Sequence, residues 1–366
     1  MDQSIKNILR KIEENGFEAY IVGGYVRDSI LRIKTNDVDI ITNALLKDIA
    51  KIFPQGKSDV NSYGSYKIQV GKYNVDITTY REEFKYENRK PTEVRYVNNL
   101  LTDLNRRDFT INSLCMNKKG TVIDLLNAKE DLNNKTIKVI GDVQKKFTED
   151  PLRMLRAVRF SIVLGFKIED KALEFIINNK ELIRTISYKR KKNELNLIFI
   201  SNNYQKGLNF IKEINLDQIL EIEYDNIIKT DDLLGIWAQI NFSNNYPFTN
   251  QEQKSIKIIK EIIKYGKIDT NILFKYNLYY TYIAGDILGI SKKIINKLYK
   301  LMPIHDYSDI SIKGDKIASV LEIKPSNKIK LILEDIKTAI LDKKVKNNQK
   351  EIIKYIILNK EKWLNE

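Results

Sequence analysis

Two glycines and two aspartates do most to limit what this chain can fold into. The stretch Tyr20-Ile-Val-Gly-Gly-Tyr-Val-Arg-Asp28 carries an apolar run into a Gly-Gly turn, and Asp37-Val-Asp39 opens a second apolar run downstream. A glycine turn lets backbone N–H groups approach an anion closely, and the start of a following helix adds its positive dipole end. On a β-strand, residues i and i+2 share a face, so Asp37 and Asp39 point the same way. Side-by-side carboxylates repel one another, and a hard cation such as Mg²⁺ relieves that repulsion. A phosphate cradle beside paired metal-binding carboxylates is equipment for phosphoryl or nucleotidyl transfer. Asp37-Val-Asp39 alone reads equally well as a solvated strand; the glycine turn upstream tips the balance.

Other acids and arginines extend the pattern. Asp76, in Tyr73-Asn-Val-Asp-Ile-Thr-Thr-Tyr-Arg81, is placed to be a third carboxylate from a neighbouring strand. Arg27 begins the helix after the turn, where a guanidinium fork suits a triphosphate, and Asp28 caps that helix or orients Arg27. In Glu149-Asp-Pro-Leu-Arg-Met-Leu-Arg-Ala-Val-Arg-Phe160, Pro151 suits the first helical position with Asp150 as N-cap. Asp150 and Arg153 then share a helix face, as do Arg190 and Glu194 in Ser187-Tyr-Lys-Arg-Lys-Lys-Asn-Glu-Leu195.

Charge and composition point the same way. A net charge of +14 over 366 residues implies a polyanionic partner, nucleic acid before membrane, although surface lysines alone also raise such a figure. The single cysteine, Cys115, excludes an internal disulfide and a Cys₄ zinc site, and the single histidine, His305, excludes a His-based metal cluster. No apolar run approaches the roughly 18 residues of a membrane span, and the first residues lack the pattern of a signal peptide. The expected location is cytoplasmic, with no membrane partner.

The first part of the chain reads as mixed α/β, with strands at 19–22, 38–42, 66–70, 73–79, 122–125 and 136–139 and a hairpin turn at Gly71-Lys72. Beyond Phe166 only six glycines and three prolines remain, and apolar residues recur at helical spacing. The second part is therefore helical, with a loop at 241–250. Residues 81–96 are highly charged without clean periodicity and read as a mobile loop. Aromatics such as Tyr279-Tyr280 and Trp363 sit among lysines and could stack on bases, but at helical spacing they more often fill a core.

Gly23-Gly24-Tyr-Val-Arg27-Asp28 with Asp37-x-Asp39 resembles the first motif of the bacterial-type (class II) tRNA nucleotidyltransferases. That family comprises CCA-adding enzymes, their CC-adding and A-adding relatives, and bacterial poly(A) polymerases. Asn105-Arg-Arg-Asp-Phe-Thr-Ile-Asn112 is similar to the family's Arg-Arg-Asp-Phe-Thr-Ile-Asn-Ala, with Ser113 in place of Ala. The resemblance implies nucleotide contacts from Gly23, Gly24, Arg27, Arg106, Arg107 and Asn112, and a ribose 2′-hydroxyl contact from Asp108. It implies that Asp150 and Arg153 read the base edge while Glu149 orients Arg153, with Arg156 and Arg159 continuing toward phosphate or RNA. Arg190 and Glu194 match a scaffold motif, in which Lys189 replaces the usual Glu. Asp37 and Asp39 are the implied catalytic metal ligands, and Asp76 is a third implied catalytic carboxylate at a position where many relatives carry Glu.

The resemblance predicts an α+β protein: a polymerase-β-like nucleotidyltransferase head at 1–140, then a helical neck at 141–210, body at 211–290 and tRNA-gripping tail at 291–366. It implies a CCA-adding enzyme that uses Mg²⁺, CTP and ATP on tRNA, with no obligate protein partner. The charged 81–96 segment is similar to the flexible loop that CCA-adding enzymes use in switching from CTP to ATP, despite Arg89-Lys90-Pro91 where Arg-Arg-Pro is usual. Its length argues against a CC-adding enzyme and leaves an A-adding enzyme as the strongest alternative. A poly(A) polymerase is disfavoured by Ser62-Tyr-Gly-Ser-Tyr66, which stands where those relatives carry Gly-Arg-Arg-Phe. A catalytically dead RNA-binding protein is disfavoured by the intact acids, and a small-molecule nucleotidyltransferase by the long basic helical part.

Overall fold

The computed structural model describes residues 1–58, 65–87 and 90–364. Residues 62–64 of the Ser62–Tyr66 stretch, and Arg89, lie outside them. The chain forms two compact units, Met1–Glu221 and Ile222–Glu366.

In chain order the first unit runs through α1 (Gln3–Glu14), β1 (Ala19–Val22), α2 (Gly24–Ile30), β2 (Asp37–Thr42), α3 (Leu46–Ile52), β3 (Lys57–Ser58), β4 (Ser65–Val70) and β5 (Tyr73–Thr79). It continues with β6 (Arg81–Glu87), β7 (Lys90–Tyr96), α4 (Leu100–Asn105), β8 (Cys115–Met116), β9 (Val122–Ile123) and α5 (Ala128–Asn133). After β10 (Thr136–Ile137) come α6 (Val143–Glu149), α7 (Leu152–Leu164), β11 (Lys167–Ile168), α8 (Asp170–Asn178) and α9 (Tyr188–Ile200).

Seven strands form one sheet in the order β3-β4-β5-β2-β1-β8-β9. Only the central β2–β5 pair is parallel, with Asp39 opposite Asp76. Strand alternation divides the residues between two faces. One face carries Ile21, Val38, Ile40, Ile68, Val75 and Ile77, all at most 5% exposed. It is covered by α1 and α3: the Tyr66 hydroxyl donates to the Phe53 carbonyl at the end of α3 (2.7 Å), and α1 buries Ile5, Ile8, Leu9 and Ile12. Each such side chain contributes about 1.5–3 kcal/mol by leaving water. The other face is polar along β2, β5 and β4. Toward β1 and β8 it becomes apolar, where Val22, Ile41, Tyr80, Leu104 and Cys115 pack together.

The charged 81–96 segment is not a loop. It is an antiparallel hairpin of β6 and β7, with Glu82 opposite Arg95 and bonded to it at 2.9 Å. Opposite charges across a strand pair support a hairpin without any hydrophobic alternation, so periodicity alone misses it. Two expected strands are shorter. The segment at 122–125 stops at Ile123 because the Asp124 carboxylate turns to accept the backbone N–H groups of Ala128 and Lys129 (both 2.9 Å), capping α5. The one at 136–139 stops at Ile137, with Val139 bridging to Phe109 instead.

Beyond the sheet, α7 is buried on almost all sides and packs against α9. Pro151, with φ −56°, leads into α7, and the Asp150 carboxylate accepts the Leu152 N–H (3.2 Å). The second unit is built from helices, the longest being Asn250–Tyr265 and Asn327–Leu341. In the 241–250 stretch, Asn241–Phe242 forms a short strand with Ile222–Glu223 rather than loop. Phe242 and Phe248 each lie 5.2 Å or less from the buried Trp237 ring, which gives this Asn-rich stretch an apolar anchor. Tyr280 and Trp363 are buried, while Tyr279 is exposed.

Candidate nucleotidyl-transfer site

The β2–β5 register creates the site. Because Asp39 stands opposite Asp76 and Asp37 opposite Asn74, three carboxylates lie on the polar face of the sheet. Two of them have a local anchor. Asn74 donates to Asp37 (3.0 Å), and the Ser65 hydroxyl donates to Asp76. Gly23 ends β1 with φ +75°, and a Cβ there would sit 3.3 Å from Asp39 Oδ2. The turn therefore approaches the carboxylate as closely as glycine allows. Asp39 stays open to the cleft, yet crowding by protein atoms on its other sides is the main influence raising its pKa. Arg107 acts the other way, and the Asp76 and Asp37 charges raise it further.

Among the described residues, no three His, Cys, Asp or Glu side chains stand together as a ready-made metal site. Two or three carboxylates on an open ledge are instead what Mg²⁺ takes, since it keeps several water or phosphate ligands. The donor set fits that ion.

Cationic groups flank the acids on the β1–β8 side. Arg27 is buried and clamped: its guanidinium donates to Asp28 (2.7 and 2.8 Å) and to Asn112 (2.6 Å). Arg106 and Arg107 both donate to Asp103, which is fully buried in α4. Burial opposes ionisation of Asp103, but the two arginines hold its pKa below the ordinary value. Arg106 also reaches Glu83 of the hairpin (3.1 Å), so it is engaged away from the acids. The Nε of Arg107 is buried without a hydrogen-bond acceptor among the described residues. Lys146 of α6 donates to the Asn105 and Arg107 carbonyls (2.8 and 3.2 Å), and burial foremost, with Arg153, pushes its pKa down to about 8.

The neck helices continue the network. Asp108 accepts from Arg156 (2.6 and 2.8 Å), from Asn112 (3.2 Å) and from the Phe109 N–H (2.8 Å). Burial raises its pKa, but Arg156 and these hydrogen bonds outweigh it and hold the group at about 2. Arg159 pairs with Glu194 at 2.5 Å, both being buried. Three guanidinium groups surround the Phe160 ring: Arg159 at 3.9 Å, Arg27 at 5.2 Å and Arg156 at 5.4 Å. This ring joins the arginine of the glycine turn to the arginines of α7 through cation–π contact. Arg153 donates to Glu149 (3.3 Å) and to the Lys146 carbonyl (2.9 Å), while Asp150 receives Arg190 (3.0 Å).

The motifs read from sequence thus converge within the first unit. Among the described residues Arg190 and Glu194 do not pair with each other, four residues apart as they are; Arg190 holds Asp150 just before α7, and Glu194 holds Arg159 within it. Sequence reasoning passed over Ser65, Asn74, Glu83, Asp103 and Lys146. Asp103 was recoverable, since it precedes Arg106 and Arg107 by three and four residues at the end of a helix. Ser65 and Asn74 acquire meaning only once the register is known.

The chain matches the model for the poly(A) polymerase head domain over residues 19–138 and that for a tRNA nucleotidyltransferase domain 2 over residues 239–356. It is 31% identical to a CCA-adding enzyme of Lactobacillus delbrueckii subsp. bulgaricus over 96% of each chain. The fold is shared with the Bacillus stearothermophilus CCA-adding enzyme solved in complex with CTP (TM-score 0.84, 24% identity, 98% of each chain). It is also shared with the Thermotoga maritima CCA-adding enzyme solved with tRNA (TM-score 0.65, 19% identity, 98% of this chain and 96% of that one). With matches to both domain models and a relative of this identity along nearly its whole length, the chain belongs to the class II tRNA nucleotidyltransferases and is most like their CCA-adding members.

Proposed function

We propose that this protein is a CCA-adding tRNA nucleotidyltransferase, which adds C, C and A from CTP and ATP to the tRNA 3′ end without a nucleic-acid template. The observation that carries the reading is the Gly23 turn set against Asp39, which stands opposite Asp76 on the sheet, in a chain that aligns over 96% of its length with a CCA-adding enzyme. Asp37 and Asp39, with Asp76, would hold Mg²⁺; when bound, it makes the attacking 3′-hydroxyl more acidic and neutralises triphosphate charge. In each cycle the 3′-oxygen bonds to the α-phosphorus, the bond to the bridging oxygen breaks, pyrophosphate leaves and the hydroxyl proton is released.

The Gly23-Gly24 turn, Arg27 and Arg107 bind the triphosphate. The orphaned Nε of Arg107 supports this role, since a buried donor without an acceptor is costly. Arg106, held by Glu83 and Asp103, anchors the hairpin and so acts through Arg107's support. Asp108 and Asn112 meet the ribose, and Arg156 holds Asp108 ionised as a hydroxyl acceptor. Asp150 and Arg153 present a carboxylate acceptor and a guanidinium donor to the base edge, with Glu149 and Arg190 fixing their orientation. Arg159 and Glu194 stiffen α7 beneath them. The helical second unit carries the body and tail that bind tRNA, and the neck ends near residue 210. No helix among the described residues is long and apolar enough to cross a membrane; our reading puts the enzyme in the cytoplasm with its tRNA substrate.

The test is incorporation of labelled CTP and ATP into tRNA lacking its terminal triplet, with Mg²⁺, by wild type, Asp37→Asn and Asp39→Asn. Loss of incorporation in both variants with tRNA binding retained is expected. Full incorporation by either variant would remove the acids from the mechanism.

A further inference from the structure

Helix α6 has little apolar packing to hold it. It is seven residues long and buries one side chain, Phe147, whose ring lies 5.8 Å from that of Phe175 in α8. A helix this short is not stable by itself, so its contacts decide where it sits. The residue before Phe147 makes the other tie. The half-buried Lys146 ammonium donates to the carbonyl of Asn105, the last residue of α4 (2.8 Å), and to that of Arg107 (3.2 Å). Carbonyls at a helix C-terminus lack intrahelical partners and carry the negative end of the dipole, so an ammonium suits them. Burial works against that charge, a penalty that an apolar side chain in the same place would avoid.

The same residue holds the base readers. The Lys146 carbonyl accepts the Asp150 N–H (3.3 Å) and the Arg153 guanidinium (2.9 Å). Asp103 fixes the Arg107 side chain (3.1 Å), and Lys146 fixes the Arg107 main chain. One residue therefore ties the arginine assigned to the triphosphate to both residues assigned to the base.

Resting on the nucleotidyl-transfer reading, we propose that Lys146 is a positioning residue that couples base selection to triphosphate binding. Selection needs the Asp150 carboxylate and the Arg153 guanidinium held in one order. Cytosine offers an amino donor beside a ring acceptor, whereas uracil offers a carbonyl acceptor beside a ring N–H, so a pair fixed for one rejects the other. Fixing the pair relative to Arg107 makes a nucleotide with the wrong base lose triphosphate contacts as well. Without the Lys146 donors, the end of α6 shifts independently of Arg107, and the penalty on the wrong base shrinks.

The experiment compares wild type with K146Q and K146M, which keep most of the stem and lose the charge, with K146R, and with K145Q at the exposed neighbouring position. Melting temperature, CTP and UTP binding with Mg²⁺, and kcat/KM for adding each to tRNA ending before CCA are measured. K146Q and K146M are expected to lower the preference for CTP over UTP by about 5-fold or more, the lower end of coupling between two sites. K146R, whose fork can donate to both carbonyls, keeps the preference, as does K145Q. Variants that melt lower yet select CTP as wild type does would reveal a purely structural tie and overturn the coupling. Equal loss in K146R would overturn it too, since the donors would then not matter, and so would a wild type that shows no preference in either readout. A wild type that binds CTP selectively, loses that selectivity in K146Q and yet adds no nucleotide would sink the catalytic reading and leave the coupling standing.

Discussion

Gly23→Ala strikes the point where backbone geometry meets chemistry. Gly23 has φ +75° and ψ −138°, a conformation that an L-residue adopts only under strain of order 1–3 kcal/mol. The new methyl carbon would lie 3.3 Å from Asp39 Oδ2, so one of them must give by a few tenths of an ångström. A misplacement near 1 Å at a reacting centre costs about 10²-fold in rate, so a shift of a few tenths should cost roughly 4- to 10-fold in kcat. Gly24→Ala is the control. Gly24 has no left-handed φ, its added methyl would meet Arg27 Nη2 at an ordinary 3.6 Å, and Ala favours the helix it begins by up to about 1 kcal/mol. The assay pairs urea unfolding with single-turnover incorporation of ATP into CC-ended tRNA. Gly23→Ala is expected to lose both stability and rate with tRNA affinity intact, and Gly24→Ala to keep its stability. If Gly23→Ala matched wild type in both measurements, the close approach of turn and carboxylate would have no role.

Removing Glu194 strands Arg159 in the interior. Glu194→Ala should cost about 3–5 kcal/mol in urea unfolding, while combining Glu194→Leu with Arg159→Met should recover most of it. Asp108 gives a pH signature. Its folded pKa of about 2 lies below the ordinary value of 3.8, so its stabilisation is full above about pH 4 and is lost as pH falls through about 2. That contribution is about 2 kcal/mol, and Asp108→Asn should remove the corresponding part of the acid limb in stability-versus-pH curves. Cys115 is fully buried with its thiol pushed up to about 12, so iodoacetamide at pH 8 should label it only on unfolding.

Much of the site is legible in the sequence because its chemistry is local. The glycine turn, the i, i+2 acids and the capped Asp150–Arg153 helix each announce themselves within a few residues. What escapes is what the register creates. Asn74 and Ser65 look like ordinary strand residues until β2, β5 and β4 pair. Partner choice also escapes: Arg190 and Glu194 have the spacing of a helical pair, but α9 lies against α7, and the more buried partners there are Asp150 and Arg159. The hairpin at 81–96 escapes for another reason. A two-stranded ribbon held by backbone bonds and cross-strand charge needs no apolar face, so no alternation marks it.

The central claim is the order of addition. Transcripts of one tRNA ending before CCA, after C and after CC are incubated with the protein, Mg²⁺ and CTP, ATP or both, and products are resolved at single-nucleotide length. Growth of all three to CCA, stopping there, is the predicted result. Growth of the CC-ended transcript alone, by one A, would contradict it in favour of an A-adding enzyme, and no growth on any transcript would refute nucleotidyl transfer to tRNA.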